Sequence, residues 1–91
     1  VEFKYSQGNL HFNWTSRSVN SIQFSDDHQI LASGGEDGQI KIWNPHTGEL
    51  IHNVMGHSQT IFSLAISPDN SIIASASQDS YVKLWNLKTM Q

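Results

Sequence analysis

Cysteine is absent from the 91-residue chain, which excludes disulfides and thiolate metal sites without identifying a compartment. Basic residues are few. Lys4, Arg17, Lys41, Lys83 and Lys88 are scattered, and against eight acidic residues they leave a formal charge of −3. No cationic patch for a phosphate backbone is visible, so no nucleic-acid partner is expected. No apolar run approaches the ~18 residues of a membrane-spanning helix, so no membrane partner is expected either. The amino terminus lacks the charged, apolar and small-residue zones of a secretory signal, and a cytoplasmic location is the default expectation. The triplet Asn13-Trp14-Thr15 fits a glycosylation sequon, a pattern that arises often by chance. Helical periodicity is missing too, whereas short strands and turns fit throughout.

What the chain does have is a repeat. Shifted by 42 residues it matches itself without a gap, so that Leu31 to Asn44 falls on Ile73 to Asn86. Over residues 15–49 against 57–91, 12 of 35 pairs are identical, among them Ser33/Ser75, Asp37/Asp79, Lys41/Lys83 and Trp43/Trp85. Most other pairs swap like for like, such as Ile40/Val82. A period of this length signals stacked supersecondary units, each unable to bury its own faces alone. Two such units occupy 84 of the 91 residues, which leaves no room for a separate catalytic domain.

Within each unit the first strand breaks parity at the same place: Val19 precedes Ile22 and Phe24 as Ile61 precedes Leu64 and Ile66. A β-bulge after the first strand residue repairs both registers. Ser25-Asp26-Asp27-His28 and Ser67-Pro68-Asp69-Asn70 read as tight turns, and Asp37-Gly38 and Asp79-Ser80 as the next ones. Second strands are expected at 30–34 and 72–76, third strands at 39–43 and 81–85, and a fourth at 49–54 in the first unit. The first unit is thus an antiparallel meander of four strands. Val1 to Tyr5 and Leu10 to Trp14, separated by Gln7-Gly8-Asn9, read as the last two strands of a preceding unit. The division expected is 1–14, 15–56 and 57–91, with the last unit lacking its fourth strand. The Leu10 to Trp14 segment could supply that strand in another copy or at ring closure.

Three marks stand in register with the repeat: Gly56-His57 opening the second unit, an Asp six residues before Trp in both, and Ser-Pro-Asp-Asn after the first strand of the second. With them the chain resembles the WD-repeat β-propeller family, from Trp14 onward. The resemblance implies an all-β fold of four-stranded antiparallel blades, of which typically about 4–8 surround a central channel. Here about two blades of an incomplete propeller are expected. Two departures stand out. The family's Trp-Asp dipeptide is Trp43-Asn44 and Trp85-Asn86, and Trp14-Thr15 occupies the place of Gly-His.

The resemblance also implies a buried hydrogen-bond chain through His57, Ser75, Asp79 and Trp85, reduced in the first blade to Ser33, Asp37 and Trp43. It places partner contacts on the rim formed by the start of the first strand and the turn before the third. Those positions are Ser18, Asn20 and Glu36 in the first blade, and Thr60, Phe62 and Gln78 in the second. Phe62 stands out because the bulge would turn a large aromatic toward the rim, and exposed aromatics make interface anchors. Packing of Phe62 on a neighbouring loop is the plainer alternative.

Ser75, His57 and Asp79 could be taken for a hydrolase triad, but no Gly-x-Ser-x-Gly elbow is present and the matching Ser33 and Asp37 have no His. The five histidines, His11, His28, His46, His52 and His57, show no metal-ligand spacing, so no metal and no cofactor are expected. The reading is a non-enzymatic scaffold segment for protein–protein interaction, with protein or peptide partners and further blades of the same chain or of other copies. The alternative is the regulatory or sensor propeller portion of a larger signalling enzyme, with no catalytic residues in this segment. Apolar faces should remain uncovered on both flanks. The segment is then either a piece of a longer propeller or a subunit that closes a ring with other copies.

Overall fold

The parity break is where the strands bend. In the computed structural model, which describes residues 2–6, 9–13 and 18–91, with side chains from residue 18 onward, the register slips between Val19 and Ser21 and again between Ile61 and Ser63. Both expected bulges are therefore present. Nine strands are described: β1 (Glu2–Ser6), β2 (Asn9–Asn13), β3 (Val19–Phe24), β4 (Leu31–Gly35), β5 (Gln39–Trp43), β6 (Leu50–Met55), β7 (Ile61–Ile66), β8 (Ile72–Ser77) and β9 (Val82–Asn86). They form three antiparallel sheets: β1-β2, the four-stranded meander β3-β4-β5-β6, and β7-β8-β9. The third strand of the second blade starts at Val82 rather than Tyr81, two residues past Ser80, whose φ is +77°. Val1, Gln7, Gly8 and residues 14–17 lie outside the described residues, and with them the turn expected at Gln7-Gly8-Asn9.

The turns repeat in conformation as well as in sequence. His28 and Asn70, Gly38 and Ser80, and Gly48 and Met90 are pairs 42 apart, and all six have positive φ. Asn44 Oδ1 accepts the N–H groups of His46 and Thr47, and Asn86 Oδ1 those of Lys88 and Thr89. This explains why Asn serves after Trp in both blades: an amide oxygen accepts two backbone donors as a carboxylate oxygen would.

Register decides which side chains face the neighbouring sheet. In the first blade Gly34 pairs with Ile40 and Ala32 with Ile42, and these rows face the second blade. In the second, Ser75 pairs with Leu64 and Lys83, and Ile73 with Ile66 and Trp85, and these rows face back. Ile40, Ile42, Ile61 and Ile73 are fully buried between the sheets. Each such side chain contributes roughly 1.5–3 kcal/mol relative to exposure. Gly34 is small by necessity, since a Cβ there would come within 2.9 Å of Ile61 Cγ2. The inner strands β3 and β7 are joined by Ser21, whose Oγ accepts the N–H of Leu64 at 3.1 Å.

Candidate functional site: a buried hydrogen-bond chain and an exposed rim

His57 enters the second blade from a position held by the first. The carbonyl of Gly38, in the β4–β5 turn, accepts the N–H of Gly56 at 3.1 Å and that of His57 at 3.0 Å. Gly38 takes φ +74°, and a Cβ on it would collide with the His57 carbonyl, so this turn requires glycine. His57 then places Nδ1 2.9 Å from Asp79 Oδ2 and Nε2 2.7 Å from Ser75 Oγ. Trp85 Nε1 donates to the same Ser75 Oγ at 3.1 Å. One arrangement of protons satisfies every atom: Nδ1–H donates to the carboxylate, Nε2 accepts the seryl proton, and Ser75 oxygen accepts the indole N–H.

Asp79 is anchored from three further directions. Its Oδ1 accepts the N–H of Tyr81 at 3.0 Å, its Oδ2 the N–H of Ser58 at 3.3 Å, and its own N–H donates to Ser77 Oγ. Burial works to raise its pKa, but the donors from Tyr81, His57 and Ser58 together outweigh it and hold the carboxyl below its usual range. In the first blade Trp43 Nε1 donates to Ser33 Oγ at 2.9 Å, as the shortened chain requires. Asp37 does not join that pair through a histidine. It takes Lys41 Nζ at 2.9 Å instead, an ion pair that sequence reasoning missed although Lys41 stands four residues on. Lys83, the repeat mate of Lys41, donates to the Gly56 carbonyl at 2.8 Å.

The Asp79–His57–Ser75 order has the connectivity of a hydrolytic triad. Ser75 is 1% exposed and His57 2%, however, and the Trp85 indole occupies one side of the hydroxyl. A nucleophile needs open approach and an oxyanion site beside it, so in this arrangement the chain of hydrogen bonds ties loops to strands. Among the described residues no group of three or more His, Asp or Glu side chains is placed to hold a metal ion.

The six rim residues fall along one end of the sheets, and four of them are tied in pairs. Glu36 N–H donates to the Ser18 carbonyl at 3.0 Å while Ser18 N–H donates to Glu36 Oε1 at 2.9 Å. Gln78 N–H donates to the Thr60 carbonyl at 2.9 Å. Asn20 reaches the second blade through a long 3.5 Å contact to the Ile61 carbonyl. Phe62, in the bulge, is 57% exposed.

A family model described as "WD domain, G-beta repeat" matches residues 7–44 and 48–86. The WD repeat and SOCS box-containing protein 1 of Takifugu rubripes is 42% identical over 50 residues, which cover 50% of this chain and only 12% of that protein. Among solved structures, the RRP9 WD40 repeats align over 99% of this chain and 29% of theirs with a TM-score of 0.88 at 21% identity, a likeness of fold. The computationally designed Ika4 protein aligns over 89% of this chain and 48% of its own, with a TM-score of 0.78 and 30% identity.

Proposed function

Because this chain belongs to the WD domain, G-beta repeat family, we propose that it works as a non-enzymatic scaffold segment whose rim binds a protein or peptide partner. WD40 repeats generally mediate protein–protein interaction or complex assembly. The observation that carries the finer reading is Phe62, an aromatic ring left more than half exposed at the bulge of β7. Burying such a ring gives a contact a large apolar area with few rotors to immobilise. Around it, the backbone pairing of Thr60 with Gln78 and of Ser18 with Glu36 fixes the platform in advance, which lowers the ordering cost of binding. The burial of Ser75 supports the non-enzymatic part.

The test is selection of binders from a displayed peptide library, followed by calorimetric affinities for the selected peptides. Phe62→Ala is expected to weaken binding about tenfold or more, and Gln78→Ala less. Lys88→Ala, after β9 at the other end of the sheet, should leave it unchanged. Equal affinity of every selected peptide for the parent chain and for Phe62→Ala would sink the proposal.

A further inference from the structure

Ser77 ends β8 beside the rim, and its hydroxyl bonds in both directions. It donates to the Thr60 carbonyl at 2.8 Å, with the Gln59 carbonyl also in reach at 3.2 Å. Its oxygen accepts the N–H of Asp79 at 3.1 Å. The Thr60 carbonyl takes a second donor, the N–H of Gln78, and Asp79 Oδ2 accepts the N–H of Ser58. Residues 58–60, which lead into β7, are therefore tied to residues 77–79, and Ser77 makes the contacts to two of the three. Ile61, the next residue, pairs with Ser77 and is fully buried. With Ile61 sunk between the sheets and the Thr60 carbonyl clasped, the bulge leaves the Phe62 ring outside.

The first blade has no such hydroxyl. Gly35 stands in the place of Ser77, and a Cβ there would collide with the Ser18 carbonyl. The segment before β3 thus lies close against its strand, and the Glu36 side chain holds it by accepting the Ser18 N–H at 2.9 Å. A Cβ is present at Ser77, so the matching segment of the second blade stands farther out, with the hydroxyl in the space between. The residue that follows differs as well: Asn20 occupies the place of Phe62. The spacer hydroxyl and the exposed aromatic occur in the same blade.

We infer that Ser77 is a positioning residue of the rim: acting through the Gln59 and Thr60 carbonyls, its hydroxyl fixes the segment that presents Phe62 and thereby sets the affinity for a partner. The inference rests on the reading of Phe62 as the partner's anchor. Ser58 and Gln59 are exposed, so little else restrains this stretch. Without the hydroxyl the Gln59 carbonyl loses its bond and the Thr60 carbonyl keeps only the Gln78 N–H. Freedom regained in the unbound chain must then be lost again on binding.

The test uses peptides selected on the parent chain from a displayed library, with calorimetric affinities measured where circular dichroism shows each variant folded. Ser77→Ala is expected to weaken binding about fivefold. Ser67→Ala is the control for a merely structural hydroxyl. Ser67 Oγ donates to Asp69 at 2.7 Å and accepts the Ile72 N–H at 3.0 Å in the turn at the other end of the sheet. It should lower the unfolding midpoint and leave affinity unchanged. In a Phe62→Ala background the loss from Ser77→Ala should fall below about twofold, because the two residues act through one contact. A readout without peptide accompanies these: the Gln78 and Ser58 amides should exchange faster in Ser77→Ala. Unchanged exchange, a loss of the same size in both backgrounds, or parent-like affinity of Ser77→Ala while Phe62→Ala is weakened overturns the inference alone. Parent-like affinity of Phe62→Ala sinks the reading on which it rests, and the inference with it.

Discussion

Ile40 and Val82 occupy the same place in the repeat, on the same strand and in the same row, yet Ile40 is fully buried and Val82 is 71% exposed. Ile42 and Leu84 differ in the same way. The difference lies wholly in the neighbour: the first blade has a sheet against that face and the second has none among the described residues. In a stacked repeat, burial belongs to the junction between units, and a unit's own sequence sets only which face is offered. A second contrast runs through Asp37 and Asp79. Asp79 closes a chain through His57 and Ser75 to Trp85, whereas Asp37 takes Lys41 Nζ. The Ser–Trp hydrogen bond survives in both blades, so it does not depend on the imidazole.

The sharpest way to break the comparison is to truncate both members of the first pair. Ile40→Ala should cost about 3 kcal/mol in urea unfolding, through lost transfer and the cavity left behind. Val82→Ala should stay within about 0.5 kcal/mol for the single chain. Similar losses at both positions would show that a single chain already covers its outer flank. Next in size, His57→Ala removes the donor to Asp79 and the acceptor for Ser75 in one step, and should destabilise by about 2–3 kcal/mol. Lys41→Met should cost less, because the Asp37 carboxylate side chain keeps 16% exposure to water.

A smaller contrast tests the matched turns. Gly38→Ala puts a Cβ at φ +74° against the His57 carbonyl and should cost about 2 kcal/mol, while Ser80→Gly relieves the same backbone conformation and should gain about 1 kcal/mol in thermal unfolding. The smallest expected effect is the pH dependence of two equivalent aspartates. Ser71 Oγ foremost, then Ser67 Oγ and the Ser71 N–H, lower Asp69 to about 2. Asp27 is lowered by Ser25 Oγ and the Gln29 N–H, with no hydroxyl in the place of Ser71. A carboxyl with a depressed native pKa contributes stability that is complete above the unfolded value, near ~4, and is lost as pH falls through the native one. Unfolding midpoints should therefore decline below about pH 4. Asp69→Asn should flatten the lower part of that decline more than Asp27→Asn does.

Much of this was legible in the residues. The bulges follow from a parity break that only an extra residue repairs, and the four-stranded meander follows from turns at matched spacings. The members of the buried chain could be named from the repeat and the resemblance, because a donor-only indole and a histidine need partners wherever they are enclosed. What could not be seen were contacts set by the angle between sheets. The Lys41–Asp37 pair competes with solvent until the turn is built. The Asn70 side chain reaches the Asp26 N–H across 44 residues with no pattern to announce it. The exposure of Val19, Ile22 and Phe24 depends on what packs against that flank, which strand periodicity does not encode.

The Gly38 carbonyl, holding Gly56 and His57 from the neighbouring blade, has a consequence for motion. A backbone group that lies outside a unit but orients its most enclosed side chain links local opening events. When the β4–β5 turn opens, two amide protons of the second blade lose their shared acceptor with it. In native-state exchange the amides of Gly56 and His57 should then follow the first blade's turn rather than strands β7 to β9, so that the linker records the breathing of the unit before it.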